Sequence, residues 1–269
     1  MTGPAPRALS RHPLLIYALV FVVMSSAAVV MLAASLVTLF LARRFCVEQV
    51  AGGFARLLLR WIGVRVTVHR EAPWPTSQTV YISNHTSALD VFVLLALGLP
   101  NTRFFLSGFL RAVVPIGVIG YLADTFWTVP QYRREERVRL FQRAAAILRR
   151  TGQSVFLSPE GTRVRTGEIG PFNKGAFHLA GDLGAPILPL YLAVPLPPSA
   201  RKESADFSPE GFTIRGNLMS FLSDLRPCDV HVYVDAPIDM RSWQLEDLDH
   251  IRAQVRQRFL VLHDRWKAV

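Results

Sequence analysis

The chain has 269 residues, 51% of them hydrophobic, with a mean hydropathy of +0.27. That is room for one α/β domain plus a membrane segment, with an apolar load high for a protein surrounded by water. A formal charge of +10 points to an acidic partner: nucleic acid, anionic lipid or an acidic carrier protein. Two cysteines, Cys46 and Cys228, are too few for a disulfide framework or a zinc site, and are expected as free thiols in a reducing compartment.

Residues 1–13 are short and basic, with Arg7 and Arg11, and residues 14–42 carry no charge. Such a run exceeds the about 20 residues that cross a bilayer as helix, and is too long for the core of a cleaved signal. A retained anchor is expected, either a tilted span or a bent re-entrant pair, with Ser25-Ser26 as the hint of a bend. Arg43, Arg44, Arg56 and Arg60 after it outnumber Arg7 and Arg11 before it. That bias predicts a following domain on the cytoplasmic face of the inner (plasma) membrane.

Val47, Val50, Phe54, Leu57, Leu58 and Trp61 recur at helical spacing. They fit a helix in the headgroup region, or equally one packed on the domain. Strands are predicted at 64–69, 79–83, 103–106, 126–129, 154–157, 186–194 and 230–234. Helices are predicted over 91–97, 133–150 and 245–266, with another after 171–177 and a broken apolar stretch at 109–121. The 133–150 helix presents Val138, Phe141, Ala145 and Leu148 inward; its many arginines, Arg137 among them, suit a solvated face or anionic headgroups. Residues 195–227, rich in Pro, Ser and charge, read as a surface insertion. Strands alternating with helices predict a single layered α/β domain, 64–269, with a mixed central sheet flanked by helices. The anchoring helical segment, 1–63, precedes it.

Asn84-His85-Thr86-Ser87-Ala88-Leu89-Asp90 fills the turn between the 79–83 strand and the next helix. His85 is a candidate general base, and Asp90 a carboxylate that would orient its ring. Ser87-x-x-Asp90 also fits a helix capping box, and residues alone leave both readings of Asp90 open. Ser158-Pro159-Glu160-Gly161-Thr162-Arg163 follows a second apolar strand. A glycine there lets backbone N–H groups approach a phosphate, and an arginine grips one bidentately. Ser208-Pro209-Glu210-Gly211 repeats the tetrapeptide without a preceding strand and reads as a decoy. There is no Gly-x-Ser-x-Gly elbow for a serine hydrolase, and the seven His are scattered, so no metal is expected. Nucleic acid has only the net charge in its favour, and the apolar anchor argues against it.

With these motifs the chain resembles the glycerolipid acyltransferases of 1-acylglycerol-3-phosphate type. Asn84-His85 with Asp90 matches the family's first hallmark, and Pro159-Glu160-Gly161-Thr162-Arg163 its later one. Phe172-x-Lys174-Gly175-Ala176 and 185–190 match further blocks, so the resemblance covers roughly 64–194. It implies that His85 deprotonates the free hydroxyl of a lysophospholipid, which attacks an acyl thioester directly; the acceptor expected is 1-acylglycerol-3-phosphate, with another lyso-lipid such as lyso-ornithine lipid, or an inactive membrane-anchored lipid-binding protein, as the alternatives. It implies that Asp90 holds the His85 tautomer. Asn84, Glu160, Gly161, Thr162 and Arg163 would bind the acceptor's glycerol phosphate, with Lys174 as a second cation. No cofactor is implied; acyl-CoA or acyl carrier protein would be the donor co-substrate and membrane lipids the setting. The family's middle block often has a Lys where this chain has Leu106-Ser107-Gly108. It often has an Arg after the next strand, for which Arg133 is the stand-in. Ser158 takes the place of a commoner Phe.

Overall fold

The structure, a computed structural model, describes residues 13–41, 45–164, 166–195, 225–241 and 247–267. The decoy at 208–211 and most of the 195–227 insertion lie outside those residues. So do Arg7, Arg11, Arg43 and Arg44.

Seven strands form one sheet: β1 (Val64–His69), β2 (Val80–Ser83), β3 (Thr102–Ser107), β4 (Phe126–Thr128), β5 (Ser154–Leu157), β6 (Ile187–Ala193) and β7 (Cys228–Val234). Their order is β1-β7-β6-β2-β5-β3-β4, with every pair parallel except β6 and β7. Both faces are covered, so the inner strands read as near-continuous apolar runs rather than alternating ones. Alternation still decides which face a residue serves. Tyr81, Phe104 and Phe156 face one helical layer; Val80, Ile82, Val155 and Leu157 face the other.

The first layer holds α1 (Pro13–Val37), α2 (Gly52–Ile62), α3 (Leu89–Leu97) and α4 (Val114–Leu122), the last entered through a 3₁₀ turn at Gly108–Ala112. The second holds α5 (Arg134–Thr151), α6 (Gly175–Leu183) and α7 (Leu248–Lys267). The helix α1 is unbroken through Ser25-Ser26, which corrects the expected bend site. The chain turns instead at Leu39 and Phe40, both with positive φ. It then enters a π-helical turn, Cys46–Ala51, that continues into α2. The helix pair is therefore formed by 13–37 and 46–62. Its inner side packs on the domain: Ile16, Val20 and Val23 join Leu58, Leu59 and Phe92 in the main core. Residues Leu15–Val37 are long and apolar enough to cross a membrane. Phe21, Val22, Val29 and Val37 lie on its exposed side.

Phe141, Ala145 and Leu148 of α5 face inward as expected, and Ala144 joins them in place of Val138. Val138 is exposed, while Ala144, Ala145 and Leu148 are buried and Phe141 packs beside them. Arg137, one turn before Phe141, shares that inward side. Both cysteines are free thiols, Cys46 buried and Cys228 half-buried.

Gly120 of α4 lets Trp127 of β4 lie against the helix: a Cβ there would sit 2.4 Å from the indole ring. Alanine would gain about 1 kcal/mol of helix propensity but lose about 1–3 kcal/mol to overpacking against a rigid ring. Gly120→Ala is therefore expected to be net destabilising. Thermal unfolding in detergent checks this; a raised midpoint would mean that the ring swings aside freely.

Candidate active site

From the adjacent strands β2 and β5 the chain leaves to opposite faces of the sheet, into α3 and toward α6. Such a divergence opens a crevice beyond the carboxyl ends of parallel strands, where α/β sheets hold their ligands. Both motif loops lie there.

The first loop begins with Asn84. Its buried side chain donates from Nδ2 to the Leu192 carbonyl at 2.9 Å, and its Oδ1 accepts the Leu192 N–H at 2.8 Å. It thus extends the pairing of β2 with β6 after β2 has left the sheet. This places Asn84 behind the site, not on the substrate side where the sequence set it.

His85 follows. Its Nδ1 lies 2.8 Å from Asp90 Oδ2. The same Oδ2 accepts the N–H groups of Thr86 at 2.9 Å and Ser87 at 3.1 Å. The two readings of Asp90 are therefore one arrangement: the carboxylate organises the turn into α3 and receives the imidazole. It is buried in the first turn of α3, where the helix dipole favours negative charge. A carboxylate on Nδ1 keeps the proton there and leaves Nε2 as the acceptor.

The second loop holds the first. Glu160 is buried, with its Oε2 accepting the His85 N–H at 2.6 Å and its Oε1 the Gly170 N–H at 2.8 Å. The Val164 N–H donates to the His85 carbonyl at 2.7 Å. Both backbone groups of His85 are thus bonded to the Pro-Glu-Gly loop. Glu160 faces inward, so the expectation that it touches the acceptor gives way to a structural bond. Gly161 turns the loop at φ +70°, where a Cβ would sit 2.9 Å from Asn173 Nδ2. Asn173 donates from that nitrogen to the carbonyls of Pro159 and Glu160.

His85 opens onto a groove of about 270 Å³. Val91, Leu94, Phe105, Leu106, Leu110 and Phe141 give it apolar walls. Ser158, Gly161, Thr162, Arg163, Gln131 and Arg137 also line it. Gly161, Thr162 and Arg163 thus share the groove with His85. Lys174 does not. It sits at the start of α6, paired with Asp249 of α7 at 2.7 Å and away from the groove. Arg133 also falls outside the lining, beside Glu136 and over the Tyr132 ring. Arg137 is the cation that α5 brings to the groove, because it is in phase with Phe141, Ala144 and Leu148. The sequence reading set Arg137 with the other arginines, off the apolar stripe, and the packing of α5 brings it to the groove. The roles of Asn173 and Gly170 were not legible in the sequence either, since no local pattern marks them.

A chain with this sheet and this paired loop belongs to a recognisable class. Residues 65–193, just under half of the chain, match the Acyltransferase family model. The stretch is 41% identical over 122 residues to the chloroplast 1-acyl-sn-glycerol-3-phosphate acyltransferase of Brassica napus, covering 44% of this chain and 34% of that protein. The Saccharomyces cerevisiae 1-acyl-sn-glycerol-3-phosphate acyltransferase is 28% identical over 142 residues, or 52% of this chain and 46% of the yeast protein. The chain thus spans about a third to a half of these curated relatives. The crystal structure of the Thermotoga maritima 1-acyl-sn-glycerophosphate acyltransferase shares the fold, with TM-score 0.70 at 20% identity over 96% of this chain and 95% of that one. Residues 65–193 thus match an acyltransferase domain, and their sequence is similar to that of the 1-acyl-sn-glycerol-3-phosphate acyltransferases.

Burial is the main cause that pushes the Glu160 carboxyl from 4.5 up to about 7, against the pull of the His85 and Gly170 N–H groups. The folded state therefore keeps a proton that the unfolded chain has already released, and stability from this group falls as pH rises from about 4.5 to about 7. Glu160→Gln is expected to lack that decline, so the difference between variant and wild-type unfolding midpoints should shift in the variant's favour as pH rises from about 5 to about 7. Parallel profiles for the two proteins would remove the raised carboxyl.

Proposed function

We propose that the protein is a membrane-bound O-acyltransferase. It moves a fatty acyl chain from an acyl thioester to the free hydroxyl of a lysophospholipid, with 1-acylglycerol-3-phosphate as acceptor and phosphatidic acid as product. The observation that carries this reading is the His85–Asp90 pair at the mouth of an apolar groove with Arg163 and Arg137 in its wall. His85 Nε2 takes the proton from the acceptor hydroxyl as its oxygen bonds to the thioester carbonyl carbon. Asp90 stabilises the imidazolium that forms. When the carbon–sulfur bond breaks, the thiolate leaves and recovers a proton from the imidazolium. The apolar walls receive acyl chain, and the guanidiniums receive phosphate. The donor is acyl-CoA or acyl carrier protein.

The helix pair 13–37 and 46–62 is the membrane-facing part in this reading. Its exposed apolar side supports that placement, and the arginine bias around it supports a site on the cytoplasmic face of the inner membrane.

His85→Ala is expected to cut turnover by about 10²–10⁴-fold while the folded protein and its membrane association persist. Asp90→Asn keeps a carbonyl for the three N–H groups that meet Oδ2 but removes the charge. It is expected to lose turnover with little change in unfolding temperature. Assays with both donors, read by mass spectrometry against a panel of lyso-lipids, check this; a His85→Ala variant with more than about half the wild-type rate sinks the general-base role.

Arg163→Ala is expected to raise the acceptor KM by about tenfold or more, since charge-assisted hydrogen bonds are worth about 1.5–3 kcal/mol. The donor KM should move little. Equal rises for both substrates would take Arg163 out of the acceptor subsite.

A further inference from the structure

The last helix reaches the loop that serves Glu160. Arg256 of α7 donates from Nη2 to the Ile169 carbonyl and from Nε to the Gly170 carbonyl, each at 2.8 Å. The Ile169 carbonyl and the Gly170 N–H are the two ends of one peptide unit. Glu160 Oε1 takes the N–H end at 2.8 Å, and Glu160 Oε2 takes the His85 N–H at 2.6 Å. Arg256, one peptide, one carboxylate and the His85 backbone thus form a continuous chain of hydrogen bonds.

We propose that Arg256 is a positioning residue for acyl transfer, fixing the Ile169–Gly170 peptide so that its N–H holds the Glu160 carboxylate against the His85 loop. The proposal rests on the reading of His85 as the general base. A guanidinium on the carbonyl end polarises the peptide and strengthens the hydrogen bond given by its N–H. The peptide cannot rotate without breaking bonds at both ends. The planar fork matches two successive carbonyls, which an ammonium on a flexible stem cannot do. The platform is firm, because Ile251, Val255 and Phe259 bury the same helix in the core. Glu168 is also tied to α7, through Lys267 at 2.6 Å, but that pair is exposed and holds the loop weakly. Arg256 lies outside the groove lining and outside residues 65–193. Its influence on chemistry therefore passes through Glu160.

The charged or titratable groups that bear on Glu160 are His85, which favours its ionised form, and Asp90, which opposes it. The Gly170 N–H favours the ionised form as well. Releasing that N–H raises the Glu160 carboxyl further, and a protonated Glu160 cannot accept both N–H groups that hold the His85 loop, so the acid limb of kcat/KM should move to higher pH.

The test uses the full chain in detergent micelles, with Arg256→Ala and Arg256→Lys beside wild type. Hydrogen–deuterium exchange is followed over residues 84–87 and 168–171. The expected result is exchange about tenfold faster or more in both segments for Arg256→Ala, with the core strands unchanged. Arg256→Lys should shift the same way to a smaller extent, and it carries the test if the alanine variant does not fold. In turnover the acid limb should move up while the acceptor KM stays within about twofold, since no groove contact is lost. Wild-type exchange in both segments for the folded variants overturns the proposal. So does a uniform loosening with an unmoved acid limb, the mark of a merely structural arginine. If wild type transfers no acyl group to any lysophospholipid, the acyltransferase reading fails, and the exchange pattern still decides the clamp.

Discussion

The site depends on one buried carboxylate. Glu160 joins two loops that come from neighbouring parallel strands, and it does so through backbone N–H groups rather than through another charge. Burying a carboxylate is costly unless donors replace its water. Two N–H donors do so in part, and the remaining penalty appears as the raised pKa. With the Val164 bond to the His85 carbonyl, the peptide groups on either side of the imidazole are held from one direction. Asp90 then needs only to orient the ring. A general base must be placed to a fraction of an ångström, and here that precision comes from backbone bonds on a rigid sheet.

The sheet explains why these loops meet. Strands β2 and β5 are adjacent and parallel, yet the segments after them pack on opposite faces. Their ends therefore separate and leave a crevice. The layer containing α5 and the one containing α3 both supply groove residues, which is why apolar walls and guanidiniums share one cavity. Asn84 keeps β2 joined to β6 at the point where β2 departs, so the crevice opens without loosening the sheet.

The N-terminal helix pair is both core and surface. Ile16, Val20 and Val23 complete the packing of α2 and α3, while the other side of α1 leaves large apolar groups uncovered. An exposed apolar face of that size marks a contact with something apolar. Because the same helix contributes to the core, the N-terminal helix pair and the domain pack together. The groove wall that α3 supplies is thereby tied to the element proposed to meet lipid.

Local pattern alone determined a good deal. Every strand was visible, β2, β5 and β6 as short apolar runs because a sheet covered on both faces demands them, and β1 by its alternation of apolar and polar residues. The His85–Asp90 partnership was visible because both lie on one turn and the first turn of the following helix. Nearness in sequence there forces nearness in space. The orientation of side chains whose partners are far along the chain was not determined that way. Asn84 and Glu160 were read as facing substrate, and only the strand order turns them toward Leu192 and Gly170. Lys174 matched a motif, but α7 supplies Asp249 and draws it away. Arg133 and Arg137 are one helical turn apart, and the packing of α5 on the sheet decided which of them reaches the groove. Arg256 carries no motif at all. Its two carbonyl partners lie 86 and 87 residues earlier, so the contact exists only once the last helix has docked.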